Sequence, residues 1–323
     1  MPLVVGRRRE VEVVMAALAA GRHVLLEGPP GTGKSTVLAA VASTVGMGFV
    51  FVEGNAELTP ARLVGHHDPA RVLAEGYRAE IFEDGPLLTA MREGALLYLE
   101  EINRIPEETL NVLVTVMSDG ALQVPRLGRV EAAASFRLVA AMNPFDAVGT
   151  ARISAAIYDR TCRVLMGYQS AAEEQEIVRR KLAESPAAPP IDQAWIARVV
   201  DLVRRTRSHP DIRVGSSVRG AVDLVLLASE LARLRHRTAE DPEVSLDATL
   251  AALSGRIRLH EGAGRTPEDV LGELWHEVLG RQRPAPGEEQ AATGPAATAS
   301  PTPGASDGRG KAPAPGGPAP TGG

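Results

Sequence analysis

Short apolar runs alternate with helix-like patterns over the first half of the chain. Five such runs cover residues 23–26, 49–52, 95–99, 136–142 and 162–167. Predominantly apolar runs of this length are typical of strands buried inside a parallel sheet. The segments between them place apolar residues at helical spacing, as Leu110, Leu113 and Val114 do in the predicted helix 106–118. This alternation predicts an α/β fold with a doubly wound parallel sheet and right-handed crossovers.

The second half of the chain carries no comparable strand signal. Helical patterns cover residues 171–184, 192–207, 216–236, 245–260 and 267–281. After Arg283 the sequence is mostly Pro, Ala, Gly, Thr and Ser, a composition too poor in apolar residues to offset the entropy cost of ordering it. We therefore predict an α/β nucleotide-binding domain over 1–169, an all-helical lid domain over 170–282, and a disordered tail over 283–323.

The most specific motif follows the first apolar run. It reads Gly28-Pro29-Pro30-Gly31-Thr32-Gly33-Lys34-Ser35-Thr36. A strand before it and a helix after it give the setting of a phosphate-binding loop, whose glycines let backbone N–H groups surround phosphate oxygens. Lys34 is predicted to reach the β- and γ-phosphates, and the Ser35 hydroxyl to bind Mg²⁺. The alternative is a Gly/Pro-rich turn without a ligand, but the context favours a nucleoside triphosphate.

Polar residues also follow the third and fourth apolar runs. Glu100 and Glu101 come directly after the third run, and Asn143 directly after the fourth. Such sheets bind ligands just beyond the carboxyl ends of their strands, so these residues are predicted to meet the phosphate loop. Glu100 would hold Mg²⁺ and its water shell, and Glu101 would polarise the water that attacks the γ-phosphate. Asn143 would hydrogen-bond that water or the phosphate, or else serve only as a turn residue before Pro144.

Two arginines complete the candidate chemistry. Arg160 follows Asp159 just before the last apolar run. An arginine there can cover transition-state charge, usually across a subunit boundary, and a salt-bridged surface pair is the alternative. Arg219 begins a predicted helix of the lid and can reach back to the nucleotide.

Together these motifs resemble AAA+ ATPases of the MoxR type, in the wider group that includes CbbQ/NorQ and gas-vesicle GvpN-like proteins. The matching stretches are residues 28–35, 85–87, 97–106, 142–144, 158–160 and 215–219. The resemblance implies a P-loop NTPase core of the AAA+ type, with ATP and Mg²⁺ as cofactors. It assigns Glu100 and Glu101 to Walker B, Asn143 to sensor 1, Arg160 to the arginine finger and Arg219 to sensor 2. It also implies a homo-oligomeric ring, usually a hexamer, and a partner that carries a von Willebrand factor A domain.

Two positions depart from the family pattern. Glu100 stands where the family usually has Asp, and Cys162 follows Arg160-Thr161 where Phe is common. The resemblance leads us to expect a ring ATPase that couples hydrolysis to remodelling, maturation or assembly of a client protein. One alternative is an ATP-gated assembly scaffold with little turnover, a GvpN-like role that only Glu100 favours. The other is a DNA-acting motor.

Composition narrows these readings. The net charge of −5 offers no basic footprint for nucleic acid, which disfavours the DNA motor. Cys162, the only cysteine, excludes an internal disulfide and is expected to be a core thiol. No apolar run approaches a membrane span and the N-terminus lacks a signal-peptide core, so we expect a cytoplasmic protein. Arg7-Arg8-Arg9 is expected on the surface, and His66-His67-Asp68 in a solvated loop rather than at a metal.

Overall fold

The computed structural model describes residues 4–144, 153–184 and 192–280. The strands in these ranges are β1 (His23–Glu27), β2 (Phe49–Glu53), β3 (Gly65–His67), β4 (Phe82–Asp84), β5 (Leu96–Glu100), β6 (Ala121–Val124), β7 (Gly128–Glu131), β8 (Arg137–Met142), β9 (Thr161–Leu165), β10 (Ile212–Val214) and β11 (Arg258–Leu259). The helices are α1 (Arg8–Ala19), α2 (Lys34–Val45), α3 (Pro60–Val64), α4 (Pro69–Glu75), α5 (Pro86–Glu93), α6 (Glu107–Asp119), α7 (Ala155–Arg160), α8 (Ala171–Ala183), α9 (Gln193–Arg205), α10 (Val218–Arg235), α11 (Pro242–Leu253) and α12 (Pro267–Val278).

The central sheet is parallel and has five strands in the order β2-β5-β8-β1-β9. Its inner strands β1, β5 and β8 are almost fully buried, because helices cover both faces. One face packs against α5 and α6, and the other against α1 and α2. All five predicted strands are present, and the predicted α/β class with a parallel sheet is confirmed.

The register of the inner strands brings their carboxyl ends to one edge of the sheet. Glu27 at the end of β1 pairs with Met142 at the end of β8, and Leu99 of β5 pairs with Ala140 of β8. The residues that follow these strands therefore meet at this edge, as expected for a ligand site of such sheets.

Two short antiparallel strand pairs lie outside the central sheet in the first half of the chain. The pair β6–β7 is a hairpin that directly follows α6. The strands of the pair β3–β4 are connected through α4. His66 and His67 belong to β3, and Asp68 caps α4, so the expected solvated loop is wrong. Within the described residues no group of three or more His, Cys, Asp or Glu side chains is arranged to hold a metal ion by itself.

The C-terminal part, α8 to α12, is predominantly helical and has its own apolar core. Both tryptophans of the chain lie in it. Trp195 of α9 is 2% exposed, and the indole N–H of the buried Trp275 donates to Ser245 Oγ at 3.1 Å. This part also contains the antiparallel ribbon of β10 and β11, which the sequence did not indicate. The predicted helix 245–260 begins earlier and ends at Leu253, before β11.

The described residues belong to one compact unit, which ends at Arg281. The boundaries predicted at 169/170 and 282/283 stay predictions, and the tail 283–323 lies outside the described residues. In the described ranges no helix is long and apolar enough to cross a membrane.

Two expectations about exposure are wrong. Strand β9 is an edge strand paired only with β1, and Cys162 on it is exposed rather than a core thiol. Arg7 is 4% exposed, although Arg8 and Arg9 beside it face solvent. Of the three consecutive arginines, Arg7 is therefore buried while the other two are on the surface.

Candidate nucleotide site

A cavity of about 750 Å³ lies at the carboxyl ends of β1, β5 and β8. Most of the phosphate loop lines it: Pro29, Pro30, Gly31, Thr32, Gly33, Lys34, Ser35 and Thr36. The predicted residues Glu100, Glu101, Asn143 and Arg219 line it as well. Groups from four separate parts of the sequence therefore meet in one cavity.

Glycine is required at two positions of the loop. A Cβ on Gly28 would lie 2.0 Å from the carbonyl oxygen of Met166, just after β9. Gly31 has φ +73°, and a Cβ there would lie 2.3 Å from Ser217 Oγ, the residue before α10. Any side chain at either position would displace a neighbouring segment. The loop thus packs closely against both the sheet edge and the C-terminal helices.

Lys34, the first residue of α2, is buried under the loop. Its Nζ donates to the carbonyl oxygens of Gly28 at 2.8 Å and Pro29 at 2.9 Å. Burial lowers the pKa of Lys34 to about 8, and the positive charge of Arg219 acts in the same direction. The carboxylates of Glu100 and Glu101 act oppositely and raise it. The carboxylates therefore do not fully offset the cost of burying the Lys34 ammonium. The negative charge of a phosphate would offset it further.

Ser35 and Glu100 are in direct contact across the cavity floor. The Ser35 hydroxyl donates to Glu100 Oε1 at 3.0 Å. Tyr98 of β5 places its hydroxyl 3.3 Å from the same Ser35 oxygen. Burial raises the pKa of the Tyr98 phenol, so that it stays neutral. The two predicted Mg²⁺ ligands are thus within hydrogen-bond distance of each other, although one lies on α2 and the other on β5.

Glu101 follows with an uncommon backbone conformation. Its φ of 53° and ψ of 45° put a non-glycine residue in the left-handed region. Such a conformation costs on the order of 1–3 kcal/mol and occurs often at functional sites. The turn separates Glu101 from Glu100, and Glu101 Oε2 pairs with Arg104 Nε at 2.8 Å. Consecutive carboxylates can therefore serve different roles.

Asn143 and Arg219 lie where the sequence predicts them, and Arg160 does not line the cavity. Asn143 directly follows β8, and Arg219 is the second residue of α10. Arg160 ends α7, and its Nε donates to Ser118 Oγ at 2.5 Å. Its Nη1 lies 3.8 Å from the Asp159 carboxylate. The cavity of one chain therefore contains every predicted catalytic residue except Arg160.

Sequence reasoning missed most of the positive charge in the cavity. Further arginines line it: Arg104, Arg207, Arg213, Arg256 and Arg258. Glu100 and Glu101 are its only acidic lining residues among those the structure describes. Arg213 lies on β10 and Arg258 on β11. Because the sequence did not indicate this ribbon, it gave no sign that the two arginines reach the cavity. The excess of cations suits a polyanion such as a triphosphate.

Comparison with known proteins identifies the fold and the family. The AAA domain of the dynein-related subfamily matches residues 23–161. RuvB from Thermotoga maritima shares the fold with a TM-score of 0.51 and 18% identity, over 76% of this chain and 70% of RuvB.

Three curated relatives are similar over more of the chain than the AAA domain match at residues 23–161. NorQ of Paracoccus denitrificans is 32% identical, over 69% of this chain and 78% of NorQ. Chaperone MoxR1 of Mycobacterium tuberculosis is 26% identical, over 85% of this chain and 79% of MoxR1. Gas vesicle ATPase GvpN of Haloferax mediterranei is 26% identical, over 74% of this chain and 77% of GvpN. The phosphate loop, the paired carboxylates and these similarities agree, and the chain belongs to the AAA+ ATPases of the MoxR type.

Proposed function

We propose that the chain is a Mg²⁺-dependent ring ATPase that couples ATP hydrolysis to remodelling, maturation or assembly of a partner protein. The observation that carries the Mg²⁺-ATP part of the proposal is the 3.0 Å contact between Ser35 Oγ and Glu100 Oε1. A hydroxyl and a carboxylate beside a phosphate loop are hard oxygen donors of the kind that hold Mg²⁺ next to substrate phosphates. The residues present therefore fit a Mg²⁺-nucleotide.

Each residue of the cavity has a role in this proposal. Mg²⁺ bound with the triphosphate would neutralise charge on the transferred phosphoryl group. Lys34 binds the β- and γ-phosphates, and Ser35 and Glu100 hold the cation. Glu101 accepts the proton of the attacking water, which Asn143 orients.

The position of Arg160 supports the proposed ring. A finger supplied by a neighbouring subunit must lie outside the cavity of its own chain, and Arg160 does. Its side chain is 32% exposed, at the end of a short helix. Arg219 in contrast lines the cavity of its own chain and reports nucleotide occupancy to α10.

The name of the relative MoxR1, a chaperone, supports a protein client. The family resemblance supports a partner with a von Willebrand factor A domain. The gas vesicle relative favours a second candidate, an ATP-gated scaffold with little turnover. Glu100 supports the scaffold because its arm is longer than that of the usual Asp. Glu101 supports hydrolysis, because the site keeps its candidate base.

Two charge-removing substitutions test the nucleotide site. Glu101→Gln should keep ATP binding within about threefold and reduce hydrolysis at least about 100-fold, since the amide keeps the shape and loses the base. Lys34→Ala should abolish tight binding. The matched controls are Glu108→Gln, on the exposed side of α6, and Lys181→Ala, on the exposed side of α8. Hydrolysis that survives Glu101→Gln, or wild-type affinity in Lys34→Ala, would contradict the assignment.

Mixing two inactive variants tests the ring. Arg160→Ala should bind ATP nearly normally and lose about 10³–10⁵-fold in hydrolysis, the range for an arginine finger. When Arg160→Ala is mixed with Lys34→Ala, boundaries that join an intact Lys34 to an intact Arg160 should recover activity. A mixture that assembles by light scattering but stays inactive would exclude a shared site.

A further inference from the structure

Arg7 is a buried arginine that bonds to two separate segments of the nucleotide site. Its Nη2 donates to the carbonyl oxygen of Thr32 in the phosphate loop at 3.0 Å. The same nitrogen donates to the carbonyl oxygen of Gly167, just after β9. Its Nη1 pairs with Glu10 at 2.7 Å, which fixes the guanidinium on α1. Arg7 thus holds the loop and the chain leaving the sheet at a fixed separation.

The same N-terminal segment contacts the start of α8. Gln169 Nε2 donates to the carbonyl oxygen of Val5 at 3.4 Å. Gly6, with φ +68°, lies so close to Glu173 that a Cβ there would be 2.2 Å from its carboxylate. Glu173 in turn caps α8 by accepting from the Ser170 N–H at 2.8 Å. The contacts of this N-terminal segment therefore extend to the first turn of α8.

From α8 the contacts return to the cavity. Glu174, 1% exposed, pairs with Arg207 at 2.6 Å and with Arg204 at 3.3 Å. Arg207 lines the cavity and lies over the ring of Tyr168, 3.9 Å from its centre. Tyr168 stands between the two residues that Arg7 and Val5 hold, Gly167 and Gln169. These contacts link the phosphate loop, through Arg7 and α8, to Arg207 and Tyr168, which also line the cavity.

We propose that Arg7 is a positioning residue that couples occupancy of the phosphate loop to residues 166–170, which join β9 to α8, and to α8 itself. The proposal rests on nucleotide binding at the loop, as proposed above. When phosphate oxygens draw in the N–H groups of the loop, the carbonyl of Thr32 is held on the opposite side of the backbone. Arg7 transmits that position to Gly167, because one nitrogen bonds both oxygens. A guanidinium suits this task, since its donors have fixed directions.

Hydrogen exchange of the full chain tests the coupling. In the wild type, ADP or a non-hydrolysable ATP analogue should slow exchange in peptides of the phosphate loop and of residues 164–174. In Arg7→Ala the loop should still be protected at saturating nucleotide, and protection of 164–174 should fall to less than about a third of the wild-type value. Arg8→Ala is the matched control, because its side chain is 92% exposed and pairs only with Glu12 in the described part of the chain. It should match the wild type.

A second variant and a kinetic readout separate coupling from a loss of folding. Arg7→Lys keeps a buried charge and is used if Arg7→Ala does not fold, as judged by far-ultraviolet circular dichroism. Both Arg7 variants should raise KM for ATP about tenfold or more and lower kcat less, since misplacement of the loop acts on binding. Protection of 164–174 equal to that in Arg8→Ala would overturn the coupling. Failure of the wild-type loop to gain protection would instead overturn nucleotide binding, and the coupling with it.

Discussion

Affinity for ATP should depend on pH through Lys34. Burial lowers the pKa of Lys34 to about 8 in the free protein. Bound phosphates favour the ammonium and raise that pKa, so binding takes up a proton between the two values. The affinity is fully present below about pH 8 and is lost as the pH rises through that value.

The size of the effect follows from the charged fraction of Lys34. That fraction falls from about 0.8 at pH 7.5 to about 0.03 at pH 9.5, if the free pKa is about 8. If only the ammonium binds, affinity falls about 25-fold, or about 1.9 kcal/mol. At pH 8.5 each ATP bound should take up about 0.8 proton.

Titration calorimetry at pH 8.5 in two buffers of different ionisation enthalpy measures the proton uptake directly. Lys34→Arg should abolish the dependence, since its guanidinium stays charged throughout this range. Lys181→Ala should retain it. An affinity for ATP that does not change between pH 7.5 and 9.5, together with no proton uptake, would refute the claim that burial lowers the pKa of Lys34 to about 8.

Three further predictions concern the sheet and the loop. Burial first, and then the charge of Arg137, lower the pKa of His23 to about 4, so the stability that neutral His23 provides is lost as pH falls from 6.5 towards 4. Urea unfolding should show a loss of about 2 kcal/mol between pH 7 and 4.5 that is absent in His23→Asn, and equal losses in both proteins would contradict it. Glu100→Asp should hydrolyse ATP as fast as the wild type or faster, and an inactive variant would mean that the site requires the longer arm. Gly31→Ala should weaken ATP binding more than tenfold by its clash, whereas Gly46→Ala, at φ +67° with open space around it, should bind normally. Equal ATP affinities of the two glycine variants would contradict the role of the clash with Ser217 at Gly31.

Most of the fold could be predicted because its signals are local. The strands of the sheet are short, mostly apolar runs, and helices separate them along the chain. The contact of Ser35 with Glu100 was also within reach, since the carboxyl ends of parallel strands must meet at one edge. What made that prediction specific was the glycine pattern of the loop, which few other structures require.

The residues that were missed depend on contacts between distant segments. Nothing local separates Arg7 from Arg8, and only the folded chain shows that Arg7 meets Thr32 and Gly167. The ribbon of β10 and β11 has strands of three and two residues, too short for a period to appear. Cys162 looked like a core residue because an apolar run does not reveal which strand lies at the edge of a sheet.

The positions of the two tryptophans give the protein a selective optical signal. Trp195 and Trp275 are both buried in the C-terminal helices, and the sheet contains no tryptophan. Intrinsic emission excited at the red edge of indole absorption therefore reports on that part of the chain, while far-ultraviolet dichroism averages over both. Melting curves recorded by the two methods should coincide if the helices and the sheet unfold in one step, and separate if they do not. Without a label, the same emission follows whether nucleotide bound at the sheet edge stabilises the helices on the other side of the cavity.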